Sequence, residues 1–302
     1  PRAAPAEAHR SCPGAVVVLG AGGKMGPTLA RMAARAAKES GSNRRVYAVS
    51  RFQNDAVRRA LERHGVEVIR VDLLDASAAA RLPDAPNVLF MAGQKFGTSD
   101  APSRTWMMNV VVPALCAERY SGSRIVAFST GNVYPLVSVL SGGANETTKP
   151  YPIGEYAASC LGRERVFEFH AETRASLVAI MRLNYAVDLR YGVLSDLAVR
   201  VASGSLVPIA MGYVNLIWQG DANRAALEML PHASSPPLVL NVTGAETLSV
   251  RTLATELSNR LGKPPHFDGT ESADALLSDS SKFRQLLGEP EVPIEQMLDW
   301  TV

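Results

Sequence analysis

One strand–loop–helix pattern near the start of the sequence limits the choice of fold more than any other feature. An apolar run, a glycine-rich loop and a helical pattern follow one another between residues 15 and 40. The run AVVVLG (15–20) is continuously apolar, as in strands that are buried on both faces of a parallel sheet. The helical pattern KMGPTLARMAARAAKES begins at Lys24. A buried strand followed closely by a helix predicts the first unit of an α/β fold.

Strand and helix patterns keep alternating after this first unit. Because strands that alternate with helices build parallel sheets, the sequence predicts an α/β fold with a Rossmann-type doubly wound parallel sheet. The helical pattern of 104–120 contains Pro113, which we expect to kink it. The further strand runs lie at 44–50, 66–73, 87–93, 123–130 and 175–184.

The loop LGAGGKMG (19–26) has the glycine spacing of a phosphate-binding turn. Gly20, Gly23 and Gly26 fit G-x-x-G-x-x-G, and a second fit, G-x-G-x-x-x-G, uses Gly22. Glycine lets the backbone approach a pyrophosphate, and the helix N-terminus that follows offers N–H groups and a positive dipole end. The alternative is a tight turn without a ligand. The predicted dinucleotide contacts are Gly20, Gly22, Gly23, Lys24, Met25 and Gly26.

The end of the second strand bears on which dinucleotide binds. An acidic residue there would hydrogen-bond the adenosine ribose hydroxyls, but this chain has Ser50 and Arg51. A guanidinium suits a ribose 2′-phosphate, and Lys24 could contribute a second charge. NADP is therefore favoured. Asp55 follows shortly after, so NAD stays possible.

Composition and charge exclude several classes of protein. With 31 basic and 29 acidic side chains and no basic run, nothing predicts a nucleic-acid surface. No apolar run has the length of a membrane span. Three scattered cysteines without metal-ligand spacing favour a reducing compartment, the cytoplasm, and predict no metal site.

The change of pattern along the chain predicts its domains. Residues 1–14 lack the apolar core of a secretory signal, and we expect a flexible lead-in there. Residues 15–184 form the predicted dinucleotide-binding Rossmann domain. Residues 185–302 are expected to be mainly a smaller substrate-binding lobe, with some elements returning to the main domain.

Further motifs, in their order and spacing, make the chain similar to the extended short-chain dehydrogenase/reductase family, the NAD(P)-dependent epimerase/dehydratase group. VDLLD (71–75) resembles the segment that contacts adenine, and MAG (91–93) resembles the turn beside the cofactor. FSTGNVYP (128–135) resembles S-S-x-x-V-Y-G. The resemblance implies further cofactor contacts by Asp72, Leu73, Met91, Ala92, Gly93, Asn109 and Tyr156, in addition to Ser50 and Arg51.

The segment PIGEYAASCLGRERVFE (152–168) departs from the family at one position. Tyr156 and Cys160 lie four residues apart, on one face of a helix, where the family has Y-x-x-x-K. The resemblance implies that Tyr is the general acid/base for a substrate hydroxyl, and that Ser or Thr orients it. It also implies that the lysine lowers the Tyr pKa and holds the nicotinamide ribose. The candidate catalytic residues are Tyr156, Ser129, Thr130 and Cys160.

The missing lysine leaves three hypotheses open. An unperturbed phenol titrates near ~10, and a nearby cation lowers that pKa. In the first hypothesis, Arg163, Lys149, Arg190 or the oxidised nicotinamide supplies this charge. In the second, the protein binds a dinucleotide without turnover. In the third, Cys160 is a nucleophile, although no histidine near it in sequence would activate it.

The segments after the sixth strand resemble those that open the family's substrate lobe. They read MRLNYAVDLRYGVLSDLA (181–198) and YVNLIWQGDANRAAL (213–227). Their amide, guanidinium and indole groups suit a polyhydroxylated ligand, and suit ordinary lobe packing equally well. The resemblance also implies a homodimer that uses the helix of Tyr156. The predicted substrate contacts are Glu155, Asn184, Tyr185, Arg190, Trp218 and Gln219.

Together these features predict an NAD(P)-dependent oxidoreductase or epimerase that acts on a hydroxyl or carbonyl of a sugar-like small molecule. The alternative is a dinucleotide-binding regulatory or scaffold protein with a vestigial active site, because a fold and a cofactor loop do not by themselves imply turnover.

Overall fold

The computed structural model describes residues 10–302. Strands and helices alternate along most of this range. The strands are β1 (Val16–Leu19), β2 (Val46–Ser50), β3 (Glu67–Arg70), β4 (Asn87–Phe90), β5 (Arg124–Thr130), β6 (Val137–Ser138), β7 (Leu177–Leu183), β8 (Ala186–Val187), β9 (Leu206–Pro208), β10 (Tyr213–Val214), β11 (Ile217–Trp218), β12 (Leu238–Val242), β13 (Leu248–Ser249), β14 (His266–Asp268) and β15 (Asp274–Ala275).

The helices follow the strands in the order expected for crossover connections. They are α1 (Gly26–Glu39), α2 (Asp55–Arg63), α3 (Ala76–Ala80), α4 (Pro102–Trp106), α5 (Val112–Arg119), α6 (Gly154–Thr173), α7 (Val193–Ser203), α8 (Gln219–Glu228), α9 (Val250–Leu261), α10 (Ser281–Leu287) and α11 (Ile294–Thr301). No helix within residues 10–302 is long and apolar enough to cross a membrane.

A seven-stranded sheet with the order β12-β7-β5-β4-β1-β2-β3 carries the buried strands. Every residue of β1 and β4 is buried, as their continuous apolar runs predict. Strand β1 pairs in parallel with β2 on one side and with β4 on the other. The order therefore reverses beside β1, and the carboxyl ends of β1 and β4 border the crevice where such sheets bind ligands. The predicted Rossmann-type doubly wound fold is confirmed.

The chain divides into two compact units. The first contains the described residues up to Val133, with Pro152–Met181 and Asn223–Val239. The second contains Tyr134–Tyr151, Arg182–Ala222 and Leu240–Val302. The changeover after Met181 lies close to the boundary expected at 184/185, and α8 belongs mostly to the first unit.

The end of the predicted lead-in is part of the packed fold. Cys12 is fully buried. The side-chain amide of Asn87, at the start of β4, donates to the carbonyls of Pro13 at 3.0 Å and Ala15 at 3.2 Å. These bonds tie the segment before β1 to the start of β4. Residues 1–9 lie outside the described residues.

Helix α4 and helix α5 are joined by a π-helical turn, Met107–Val111. The amide of Val112 bonds the carbonyl of Met107, five residues earlier. Proline has no amide hydrogen, so Pro113 cannot bond the carbonyl four residues before it, and the helix widens just ahead of it. This turn presents Asn109, which is fully buried.

The second unit has its own apolar core, between α7 and α9. Leu197 and Val201 of α7 pack in one cluster with Leu253 and Leu257 of α9. Both helices end at a glycine in the left-handed region, which is the usual helix stop.

The core of the first unit lies between the sheet and α6. Phe90 on β4 meets Phe167 on α6 edge to face, with ring centroids 5.1 Å apart. Phe167 is 0% exposed, so this pair adds aromatic geometry to a large buried apolar area.

We predict that Phe167→Ala lowers the free energy of unfolding by about 3–5 kcal/mol, because it leaves a cavity under α6. The control is Val199→Ala on α7, where the side chain is 67% exposed. That change should stay within about 0.5 kcal/mol. Urea unfolding followed by circular dichroism measures both, and equal effects would contradict the packing described here.

Candidate active site

A cavity of about 350 Å³ opens in the first unit, after the ends of β1, β2, β3 and β4. It is thus built from the carboxyl ends of neighbouring parallel strands. Ten of its lining residues are among the predicted cofactor contacts: Gly20, Gly22, Gly23, Ser50, Arg51, Asp72, Leu73, Met91, Ala92 and Gly93. Six lining residues were not predicted: Phe52, Gln53, Asn54, Val57, Val71 and Met108. Phe52, Gln53 and Asn54 follow β2 and Val71 follows β3, and this position after a strand end is the signal that could have found them. Val57 and Met108 lie on helical segments and carry no such signal.

The glycines of the loop have different structural reasons. Gly20 has φ +90°, and a Cβ there would lie 2.5 Å from the amide nitrogen of Ala92. At Gly26 a Cβ would lie 2.5 Å from the carbonyl oxygen of Ala21. Both positions let strand, loop and helix pack closely. A Cβ at Gly23 would make only an ordinary contact at 3.5 Å, and this exposed residue lines the cavity.

The N-terminus of α1 suits an anion. Its N-cap residue, Met25, makes no side-chain capping bond, and a helix N-terminus offers N–H groups to a phosphate. A pyrophosphate therefore suits this helix end, beside the cavity that Gly23 lines. The loop, the helix end and the cavity together fit a dinucleotide.

The end of β2 carries positive charge. Arg51 lines the cavity, with its Nη1 4.0 Å from Oδ2 of Asp72. Asp55 does not line it: its carboxylate accepts a hydrogen bond from Nε of Arg58 at 3.3 Å. The first acidic residue after β2 is thus engaged with its own helix.

Tyr156 lies in the first turn of α6, in the same unit as the cavity. Burial raises the pKa of its phenol well above the ordinary value, and the neighbouring Cys160 raises it further. The Arg163 guanidinium and a hydrogen bond with Thr130 act in the opposite direction and lower this pKa. Arg163 is one of the cations that the first hypothesis names, but burial outweighs its effect and the pKa of Tyr156 stays raised.

Arg163 is buried and fully oriented. Its Nη1 donates to the carbonyl of Phe128 at 2.8 Å, and its Nη2 donates to Oδ1 of Asn109 at 2.8 Å. A Cβ at Gly93 would overlap this guanidinium. The arginine side chain is thus held between β5, the π-helical turn and the loop after β4.

The carboxamide of Asn109 connects three segments. Its Oδ1 accepts from the amide of Gln94 at 2.7 Å, and its Nδ2 donates to the carbonyl of Gln94 at 3.0 Å. The same Nδ2 donates to Oγ of Ser159 at 2.9 Å. The predicted asparagine therefore fixes the loop after β4 against α6.

Cys160 is 0% exposed. Burial raises the pKa of its thiol. Because the thiolate is the reactive form of cysteine, this environment disfavours the nucleophile hypothesis. The residue is a buried small side chain at the position where the resemblance implies a lysine.

The two predicted hydroxyls have different partners. Ser129 donates to Oε1 of Glu164 at 2.5 Å, and both groups are buried. Thr130 donates to Oδ1 of Asn132 at 2.9 Å, and its hydroxyl lies close enough to the phenol of Tyr156 to lower the pKa of that group. The structure therefore brings Thr130, not Ser129, next to the phenol.

The predicted substrate contact Glu155 belongs to the first unit. Its Oε2 accepts from Nε1 of Trp106 at 2.5 Å, which joins α4 to the start of α6. This carboxylate has a structural partner already.

The other predicted substrate contacts belong to the second unit. Asn184 is buried and donates to the carbonyl of Leu276 at 3.3 Å. Tyr185 has φ +43° and a phenol pKa raised by burial. Gln219 is buried and accepts a hydrogen bond from the hydroxyl of Tyr191.

The remaining charged and aromatic candidates of the second unit are engaged or exposed. Nε of Arg190 pairs with Oδ1 of Asp188 at 2.8 Å. Trp218 meets Trp300 edge to face at 5.0 Å. Lys149 is exposed. Within residues 10–302, no group of three His, Cys, Asp or Glu side chains could hold a metal ion.

Comparison with known proteins identifies the family. Residues 16–203 match the model of the NAD dependent epimerase/dehydratase family. This match covers more than half of the chain, so the chain belongs to the NAD dependent epimerase/dehydratase family. The resemblance to the extended short-chain dehydrogenase/reductases is confirmed, and so is the predicted enzyme class, the NAD-dependent epimerase/dehydratase type.

Solved structures of low sequence identity share the fold. UDP-glucose 4-epimerase from Thermotoga maritima aligns with a TM-score of 0.78 at 22% identity, over 95% of this chain and 97% of that one. UDP-glucose 4-epimerase from Thermus thermophilus, solved with NAD, gives 0.79 at 20%, over 95% and 97%. DesIV, a dTDP-glucose 4,6-dehydratase from Streptomyces venezuelae solved with NAD, gives 0.81 at 19%, over 95% and 96%. No curated protein matches the sequence.

We predict that Asn109→Ala frees the loop after β4. Each buried hydrogen bond lost costs about 1–3 kcal/mol when its partner stays unsatisfied, so amide exchange at Gln94 should accelerate at least about tenfold. Hydrogen-exchange mass spectrometry measures this directly. The control is Asn259→Ala on the exposed face of α9. Unchanged exchange in the loop of the Asn109 variant would contradict the role assigned to this carboxamide.

Proposed function

We propose that the protein oxidises and reduces a hydroxyl-bearing carbon of a sugar-like substrate, with Tyr156 as the acid/base and NADP as the favoured dinucleotide. The observation that carries the proposal is the combination, in one unit, of the glycine-lined cavity with Tyr156, Thr130 and the Arg163 guanidinium. The solved neighbours named with UDP-glucose or dTDP-glucose support a sugar nucleotide as the substrate class.

The proposed chemistry assigns one task to each side chain. A bound nicotinamide dinucleotide supplies the hydride acceptor and donor. Tyr156, as phenolate, takes the proton of the substrate hydroxyl and later returns it. Thr130 orients that hydroxyl, and Arg163 favours the phenolate because opposite charges attract.

One observation favours the second function, a dinucleotide-binding regulatory or scaffold protein. Burial raises the Tyr156 pKa, and position 160 carries a buried thiol instead of an ammonium. A phenol that stays protonated cannot act as a base. The two functions differ in whether Tyr156 is needed for turnover.

We predict that Tyr156→Phe lowers turnover by about 10²–10⁴-fold, because proton transfer by a positioned group contributes about that factor. Dinucleotide affinity should change little. Turnover is measured on a panel of UDP- and dTDP-linked sugars, with dinucleotide reduction followed by absorbance and epimers by NMR. The control is Tyr151→Phe, an exposed tyrosine five residues earlier.

Full turnover in the Tyr156 variant would remove the proposed mechanism. A wild-type protein that binds the dinucleotide but turns over none of these substrates would support the regulatory or scaffold function instead.

The preference for NADP is argued from the end of β2. Arg51 lines the cavity and Asp55 does not. A 2′-phosphate would receive a charge-assisted hydrogen bond from Arg51, whereas the free hydroxyls of NAD would meet no acidic side chain directly after β2. NAD, which the solved neighbours carry, is the alternative.

We predict that Arg51→Ala weakens NADP binding by about 10–100-fold, because hydrogen bonds to charged groups contribute about 1.5–3 kcal/mol. Binding of NAD should change less than about twofold. The control is Arg59→Ala, which removes the same charge from an exposed position on α2. Calorimetric titration of each variant decides the point. Tighter binding of NAD than of NADP by the wild-type protein would overturn the preference.

We further propose that the second unit is the substrate-binding lobe and that the chain forms a cytoplasmic homodimer. Large apolar side chains are exposed on α6 and on the segment from α4 through the π-helical turn, which supports a helical contact between copies. The buried free cysteines support a reducing compartment. The exposed side chains are Trp106, Met107, Val111 and Phe169.

A further inference from the structure

With a cysteine at position 160, the helix of Tyr156 lacks the positive charge that a lysine there would bring to the phenol and to the nicotinamide ribose. Arg163 lowers the pKa of Tyr156. Both of its terminal nitrogens, however, are engaged with Phe128 and Asn109. Arg163 can therefore lower the pKa of the phenol from its observed position, but its two terminal nitrogens already donate to protein groups. A cation that is able to contact the dinucleotide has to come from elsewhere.

Hydrogen bonds fix the backbone next to Lys95 relative to α6. The preceding residue, Gln94, is bonded through both its amide and its carbonyl to Asn109. Asn109 in turn bonds Ser159, the residue before Cys160. The loop that carries Lys95 is therefore held in register with this part of α6 by three hydrogen bonds.

Two ammonium groups gather at the open side of this loop. Nζ of Lys24, from the glycine loop, lies 4.6 Å from the ring centroid of Phe96, and Nζ of Lys95 lies 5.9 Å from it. The ring is 66% exposed. An aromatic face attracts cations but does not cancel their charge, so the pair forms a positive patch that suits an anion.

The electrostatics of Lys95 agree with this placement. Lys95 as a whole residue is exposed. Its ammonium, however, lies among protein atoms that partly desolvate it, and this lowers the pKa of the ammonium. The charge of Lys24 lowers this pKa further, and the sulfur of Cys160 raises it. The ammonium thus lies within electrostatic reach of both the glycine loop and position 160.

We propose that Lys95 binds the nicotinamide half of the dinucleotide, at its ribose and the adjoining phosphate. The ammonium of Lys95, carried by the loop after β4, takes the place of the ammonium that a lysine at position 160 would have. This inference rests on the proposed function. The two roles that the family's lysine has are then carried by two cations. Arg163 lowers the pKa of the phenol, and Lys95 binds the dinucleotide.

The test is calorimetric titration of the full chain with NADP and with adenosine 2′,5′-bisphosphate, which lacks the nicotinamide half. Lys95→Met should weaken NADP binding at least about tenfold and leave the bisphosphate within about twofold. Lys95→Arg, which keeps the charge, should restore most of the NADP affinity. The control is Lys38→Met, which removes an exposed lysine at the end of α1.

Three results would overturn the inference: unchanged NADP binding by Lys95→Met, equal weakening of the bisphosphate, or equal loss in Lys38→Met. The titrations need no turnover. A wild-type protein that binds NADP without turnover would therefore overturn the proposed catalysis, while the binding data would still decide the role of Lys95. A wild-type protein that binds neither ligand would overturn both.

Discussion

The buried carboxamide of Asn109 is the interaction on which the rest of the site depends. It uses both of its ends, accepting from Gln94 and Arg163 and donating to Gln94 and Ser159. A side-chain amide is suited to this because it carries both acceptor and donor positions on one rigid group. This one side chain therefore fixes the positions of the loop after β4, the π-helical turn and α6 relative to one another.

This arrangement also explains how a charge is kept inside the first unit. A buried guanidinium costs desolvation energy unless hydrogen bonds compensate. Arg163 receives part of that compensation from the Phe128 carbonyl and from Asn109, while its buried Nε makes no hydrogen bond. Loss of Asn109 would thus affect the phenol indirectly, because it would release the cation that lowers the Tyr156 pKa.

Sequence reasoning recovered the parts of the structure that are set by local pattern. Strands β1 and β4 were predicted from continuous apolar runs, and the glycine loop from its place between a strand and a helix. Most of the cavity lining follows from those two facts, because residues after adjacent parallel strands meet at one edge of the sheet. Contacts between distant segments could not be predicted in this way. Lys95 and Cys160 are far apart in sequence, and the bonds of Asn109 to Gln94 and to Ser159 bring their segments together. The π-helical turn was expected only as a kink at Pro113, since a missing amide does not specify how a helix adapts.

The neighbouring hydroxyls of Ser129 and Thr130 show how a motif can be present while only part of it serves the site. At the end of β5, Ser129 donates to the buried carboxylate of Glu164, whereas Thr130 lies beside the phenol of Tyr156. Both partners belong to α6. Ser129 therefore holds the helix to the sheet, while Thr130 is the hydroxyl that faces the phenol. The proposed orienting role accordingly falls to Thr130, with Ser129 as a structural partner that keeps the helix of Tyr156 in place.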